Sequence, residues 1–247
     1  MVAKIMIIFV PKILLTMKIG IIAAMASEQK LLAKGMENHT EKRVGLFSYT
    51  GGSIRHNDIA LMQCGIGKVN AAIGTAELIR HFSPDCIIST GVAGGIDSCL
   101  NVMDVVVSER IVYHDVWCGE GNAYGQVQGL PTYFQGNRTL FDCAISIDTD
   151  TAVHGGLICT GDKFITEKKE LREIKSNFPD GLAVDMESAA IAQVCHLYGV
   201  PFLSFRIISD TPGVDNHFSQ YLNFWGEMAE HSFSVTNAFL RALPHQL

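Results

Sequence analysis

The chain has 247 residues, 48% hydrophobic and 18% charged, with a formal net charge of −6. Such a composition buries a large core and excludes disorder. The acidic balance and the lack of any Lys/Arg run exclude nucleic acid and disfavour an anionic membrane surface.

Seven cysteines, an odd count without C-x-x-C spacing, sit partly in apolar runs such as Cys86-Ile87-Ile88. They read as free thiols in a reducing compartment, hence the cytoplasm, and not as a zinc site.

In chain order, residues 1–16 hold an apolar run, Ile5–Val10, too short to span a bilayer. No small-residue cleavage site follows it. Met17 reads as a fresh start, so residues 1–16 are expected to lie outside a single domain of residues 17–247, as the product of an upstream start codon. Lys18–Ala24 is a strand buried on both faces. Ser27–Lys34 is a short helix carrying Glu28. Val44–Thr50 and Ser53–Ile54 flank Gly51-Gly52, a hairpin signature. The strand Ile59–Gln63 leads into Cys64-Gly65-Ile66-Gly67-Lys68 and a helix over Val69–Phe82. Asp85–Thr90 is a strand ending in Gly91-Val92-Ala93-Gly94-Gly95. Asp104–Arg110 starts another strand. Tyr113–Asn137 is a long glycine-rich loop, of a length that in compact domains serves function or an interface. A helix over Thr139–Ile147, the strand Val153–Thr160, a turn at Gly161–Ile165 and a helix over Glu167–Asn177 follow. After two further strands, Thr211–Phe218 is a loop and Ser219–Leu243 a closing helix with apolar residues near helical spacing. The alternation predicts an α/β fold: a single three-layer domain with a central mixed sheet flanked by helices.

The chemistry gathers on those two strands. Gly181–Gln193 passes directly from strand to helix and places Asp185, Met186 and Glu187 at the carboxyl end of the strand, the edge where open α/β sheets bind ligands. First-turn carboxylates are also favoured by the helix dipole alone. The next strand, Pro201–Ile208, carries Arg206 and runs into Ser209-Asp210. Two neighbouring strands delivering Glu, Arg and Asp to one edge make a candidate site. No G-x-G-x-x-G, P-loop, G-x-S-x-G or H-E-x-x-H pattern occurs. His114-Asp115 reads as a solvated pair. Phe164 is either a stacking platform for a flat ring or a core aromatic.

Taken together and in order, Met17–Met25, Gly65–Lys68, Thr90–Gly95, Gly161–Ile165, Val184–Glu187 and Arg206–Asp210 resemble the 5′-methylthioadenosine/S-adenosylhomocysteine nucleosidase family, of the nucleoside phosphorylase-like fold. The resemblance runs from about Met17 to the last helix. It implies hydrolysis of an N-glycosidic bond in an adenosine thioether, with water as co-substrate, no metal or organic cofactor, and a homodimer. By resemblance Asp210 donates a proton to N7 of adenine, with Ser209 supporting it. Glu28 orients or deprotonates the attacking water, with Arg206 close by. Glu187 holds the ribose hydroxyls, helped by the Met186 backbone. Phe164 stacks on the base, the Ile165 backbone reads its edge, and Met25 and Ile66 line the ribose and alkylthio side. The chemistry agrees, since cleavage develops positive charge on the sugar and negative charge on the base.

Val92 stands where many relatives carry Ser, and the loop Val116–Pro131 matches poorly. The aromatic expected after Asp210 is Phe218 or Tyr221, and Tyr221 is assigned. Apolar bulk at Trp117, Leu130, Tyr133 and Phe134 is expected to lie in a dimer interface. A purine nucleoside phosphorylase and a nucleoside-binding protein without turnover are the rival readings. The first is disfavoured by Glu28 and the lack of an Arg beside Met25, the second by the three retained acids.

Overall fold

A computed structural model describes residues 16–211 and 217–247. Its frame is one ten-stranded mixed sheet. The strands are β1 (Lys18–Ala23), β2 (Glu37–Val44), β3 (Phe47–Ile54), β4 (Asn57–Gln63), β5 (Cys86–Gly95), β6 (Val105–Tyr113), β7 (Phe134–Gln135), β8 (Val153–Thr160), β9 (Gly181–Asp185) and β10 (Phe202–Asp210). The helices are α1 (Ala26–Ala33), α2 (Lys68–Phe82), α3 (Arg138–Ile145), α4 (Lys168–Asn177), α5 (Ser188–Tyr198), α6 (His217–Asn223) and α7 (Ala229–Ala242). Three layers result. Helices α1, α3 and α7 cover one face of the sheet through Leu32, Leu140, Phe233 and Phe239. Helices α2 and α5 cover the other through Ala71, Leu78, Ile191 and Cys195.

The sheet closes on itself. β10 pairs in parallel with β5 and antiparallel with β6, while β9 pairs with both β8 and β5. The ring β5–β10–β6–β8–β9 brings two carboxyl ends to one point: Gly94 of β5 is in register with Asp210 of β10 and with Val184 of β9. The edge carrying Glu187 and the edge carrying Asp210 thereby become one rim.

Several sequence expectations are corrected. The strand expected over Asp85–Thr90 does not stop at the glycine stretch 91–95 but continues through it as β5. Gly51-Gly52 is not a hairpin turn. β3 runs straight through it, and the turns fall at residues 45–46 and 55–56. A side chain on Gly52 would meet the Glu37 carbonyl at 2.8 Å, so the glycine serves the close passage of β2. β2 itself has no apolar alternation. It is a polar, exposed edge strand, a composition that blunts edge-to-edge pairing. The loop Tyr113–Asn137 contains the short strand β7, which pairs with β6. The closing helix is two helices, α6 and α7, joined by a π-turn over Phe224–Met228. The expectation for residues 1–15, and that for the loop at residues 212–216, lie outside the described residues. Among the described residues no helix is long and apolar enough to cross a membrane.

Candidate active site

A cleft of about 670 Å³, counting its open mouth, lies at the rim where β1, β5, β9 and β10 end. Every residue assigned to the site from sequence lines it except Arg206, which stands behind it: Met25, Glu28, Ile66, Phe164, Ile165, Met186, Glu187, Ser209, Asp210 and Tyr221. Two walls of different make face each other.

The acidic wall is buried. Glu28 enters from the first turn of α1 and is 1% exposed. One carboxylate oxygen accepts the backbone N–H groups of Ala24 and Met25, both at 2.9 Å, and the other accepts that of Val92 at 3.1 Å. Burial raises its pKa above the ordinary carboxylate value; Arg206 and these N–H donors oppose the rise. The approach is possible because position 91 is glycine. A Cβ there would stand 2.5 Å from Glu28 Oε1 and 2.8 Å from Arg206 Nη1, and the residue holds φ +149°, which other side chains avoid.

Arg206, 1% exposed, reaches in from β10. Its ion-pair partner is Asp185, at 2.9 Å, with Glu187 at 3.9 Å. It also donates to Ser89 Oγ at 2.9 Å and Ser188 Oγ at 3.1 Å. The guanidinium of Arg206 thus turns to the acids at the end of β9 and not to Asp210 at the end of its own strand. Asp185 is held in turn by the hydroxyls of Thr160 and Ser188. Glu187 accepts the Gly67 N–H at 3.0 Å. Burial pushes its pKa up to about 7, against the pull of Arg206 and with Asp185 adding to the rise.

The opposite, aromatic wall is half open. Phe164 is 43% exposed and meets the Tyr221 ring edge-on, with centroids 5.6 Å apart. The Tyr221 hydroxyl lies 3.9 Å from Met25 Sδ. Phe218, the alternative aromatic, is 55% exposed and does not line the cleft. Asp210, 2% exposed, closes this wall at its base and accepts the Ser209 hydroxyl at 2.7 Å.

The profile of the phosphorylase superfamily matches residues 18–241. A protein of Anoxybacillus flavithermus named 5′-methylthioadenosine/S-adenosylhomocysteine nucleosidase is 39% identical over 231 residues, covering 92% of this chain and 99% of its own. This chain belongs to the methylthioadenosine/S-adenosylhomocysteine nucleosidase family. Solved nucleosidase structures share the fold. That of Streptococcus pneumoniae with the transition-state inhibitor MT-ImmA superposes with a TM-score of 0.87 at 39% identity, over 92% of this chain and 100% of that one. That of Colwellia psychrerythraea with adenine gives 0.87 at 33% identity, over 94% and 98%.

Sequence reasoning placed Asp185 at the nucleosidase rim but gave it no task. Its place as partner of Arg206 depends on β9 and β10 both meeting β5, which no local pattern announces. Ser89 and Ser188, the other holders of Arg206, were missed for the same reason. His114 was read as solvated. Instead it is buried with its ring against Gly161, and burial lowers its pKa while Asp115 opposes.

Proposed function

We propose that this cleft hydrolyses the N-glycosidic bond of 5′-methylthioadenosine and S-adenosylhomocysteine, releasing adenine and the 5-thio-substituted ribose. The observation that carries the reading is the pair of buried acids lining one cleft, Glu28 on the acidic wall and Asp210 beneath the aromatic one. Water adds its oxygen to C1′ as the C1′–N9 bond breaks. Its proton passes to Glu28, and Asp210 protonates N7 so that adenine leaves neutral. Glu28 is suited to a proton-accepting role, since burial raises its basicity while three N–H donors fix its direction. Glu187, with the Met186 backbone, takes the ribose diol. Arg206 offsets the negative charge that gathers there. Phe164 and Tyr221 cover the base and sugar, and the Ile165 backbone reads the base edge.

Water is favoured over phosphate as the nucleophile. Glu28, Asp185 and Glu187 surround the sugar position with carboxyl groups. Among the described residues the one cationic side chain on the lining, Lys163, is paired with Glu170. A phosphate dianion meets repulsion there. Adenine release from methylthioadenosine should proceed at the same rate with and without phosphate. Dependence on phosphate overturns the hydrolytic reading, and no adenine at all overturns the enzymatic one.

A homodimer and a cytoplasmic setting belong to the same reading. The interface argument shifts, however. Phe134 is buried and Leu130 packs within its own chain, whereas Trp117 stays open, and Leu46, Ile66, Val69 and Ile73, around the start of α2, are among the other large apolar side chains left exposed. Ile66 also lines the cleft, so a partner laid on this patch would cover the end that takes the 5′ substituent. Sedimentation should give twice the 27.0 kDa chain mass, and a monomer at micromolar concentration sinks the dimer.

A further inference from the structure

Three loops at the cleft rim meet on one ammonium group. Lys68 opens α2, whose N-terminus has no capping side chain of its own. Its backbone N–H donates to Asp162 Oδ1 at 2.7 Å, across from the loop after β8. Its Nζ donates to both carboxylate oxygens of Asp115, at 2.8 and 2.7 Å, from the loop after β6. Nζ also sits over the Tyr113 ring, 5.4 Å from its centroid. Asp115 completes the circuit by accepting the Asp162 N–H at 2.9 Å.

None of these groups touches the reacting atoms in the mechanism above. What they join is another matter. On one side, Lys68 follows Gly67, whose N–H holds Glu187, and Ile66, which lines the cleft. On the other, Asp162 leads within the same turn to Phe164 and Ile165. The circuit therefore spans the acidic and aromatic walls. A lone exposed salt bridge contributes about 0–1 kcal/mol and positions nothing. This one differs in kind. Lys68 and Asp115 keep only 22% and 28% of their side chains exposed, and two of the bonds restrain backbone N–H groups.

We propose that Lys68, with Asp115 and Asp162, is a positioning latch that sets the spacing between the sugar-holding and base-holding walls. The proposal rests on the nucleosidase reading of the cleft. A ligand that touches both walls needs the latch, and one that touches the base wall alone does not.

The test compares Lys68→Met with Lys68→Arg, using adenine and a non-hydrolysable methylthioadenosine analogue as probes. Small misplacements in a site cost up to about 10²-fold, so K68M should bind the analogue roughly ten- to a hundredfold more weakly. Adenine affinity should stay within about twofold, a change worth less than 1 kcal/mol. The pH profile supplies a readout that a merely structural role leaves still. Glu187 is faced by Arg206 from β10, Asp185 from β9, Glu28 from α1, the Cys64 thiol after β4 and the Gly67 N–H. Loosening only the last removes a group that lowers its pKa, so the acid-side limb of kcat/KM should move to higher pH. K68R, which keeps the cation, should restore most of the affinity and the limb.

Equal weakening of both probes, or no change in either, overturns the latch. Failure of K68R to restore binding does so too. If K68M does not fold, Asp115→Asn keeps the Asp162 cap on α2 and one oxygen for the Asp162 N–H while it removes the charge that holds Lys68. It should show the same selective loss at several-fold, and its absence is equally decisive. Should the nucleosidase reading itself be wrong, the unaltered protein releases no adenine, a result independent of position 68.

Discussion

On the acidic wall, Glu28, Asp185, Glu187 and Arg206 are all buried, and backbone N–H groups or hydroxyls fix each carboxylate. On the aromatic wall, Phe164 stands 43% exposed on a loop, and its ring partner Tyr221 comes from a short helix. The first wall is carried by β9 and β10 and by the helix starts of α1 and α5, tied directly to the sheet. Apart from Asp210, which ends β10, the second is assembled from connections laid over the sheet. Attack on a sugar carbon demands fixed angles and desolvated charge, whereas a stacked ring tolerates sliding in its plane. Rigidity is placed where direction matters.

Asp210 is the sharpest probe of this contrast, because it is the carboxylic acid on the aromatic side. Asp210→Asn keeps the shape of the site but delivers no carboxylic proton. Adenine release should fall roughly 10²–10⁴-fold, about 3–5 kcal/mol of barrier, with affinity for a non-hydrolysable analogue retained. Near wild-type turnover in a variant that binds normally would break the assignment.

Arg206→Met should strike the acidic wall as a fold element. Breaking a buried pair costs 3–5 kcal/mol. About 3 kcal/mol is expected here, because Asp185 keeps its Thr160 and Ser188 donors. Urea unfolding measures it, and an unchanged midpoint would mean that the wall is not held by its ion pair.

Glu187→Gln should have the smallest effect, and a different one on each property. Loss of a charge-assisted contact to the diol should weaken substrate capture by roughly 2 kcal/mol, about 30-fold. Stability should respond the other way. Glu187 has its folded pKa raised from 4.5 to about 7, so its contribution is full below about pH 4.5 and is lost as pH rises through about 7. The variant should therefore lose less stability than the parent between those values. Denaturation curves at pH 5 and pH 8 check this. A parallel drop at both pH values would make Glu187 an ordinary helix-start residue.

Much of the fold was legible. Apolar runs bounded by Gly, Pro and Asp marked most strands, and strand–helix alternation marked the layers. The location of the cleft was legible too, since Glu187, Arg206 and Asp210 stand at two strand ends and both had to meet a rim. What stayed hidden depends on distance in sequence. The pairing of β10 with β5, 116 positions apart at the Ser209 contact with the Ala93 carbonyl, leaves no periodic trace. β2, with its polar composition, offers no alternation to read. The assignment of Asp185 and not Asp210 to Arg206 could not be made without the closed ring.

The π-turn over Phe224–Met228 carries a consequence for chain length. Phe224 and Phe233 are both buried in the same core, yet nine residues of uninterrupted α-helix would set them half a turn out of phase, at about 100° per residue. The extra residue in the π-turn takes back about 100° of that offset and leaves the two rings about 80° apart, within the width of one apolar stripe. Excising one residue there would leave Phe233 and Phe239 seated while swinging α6 by about 100° about its axis. Tyr221 would leave Met25 and Phe164 with no change in its own identity or in theirs. At this point the chain aims an aromatic ring by counting residues, and an alignment gap would alter the cleft as surely as a substitution within it.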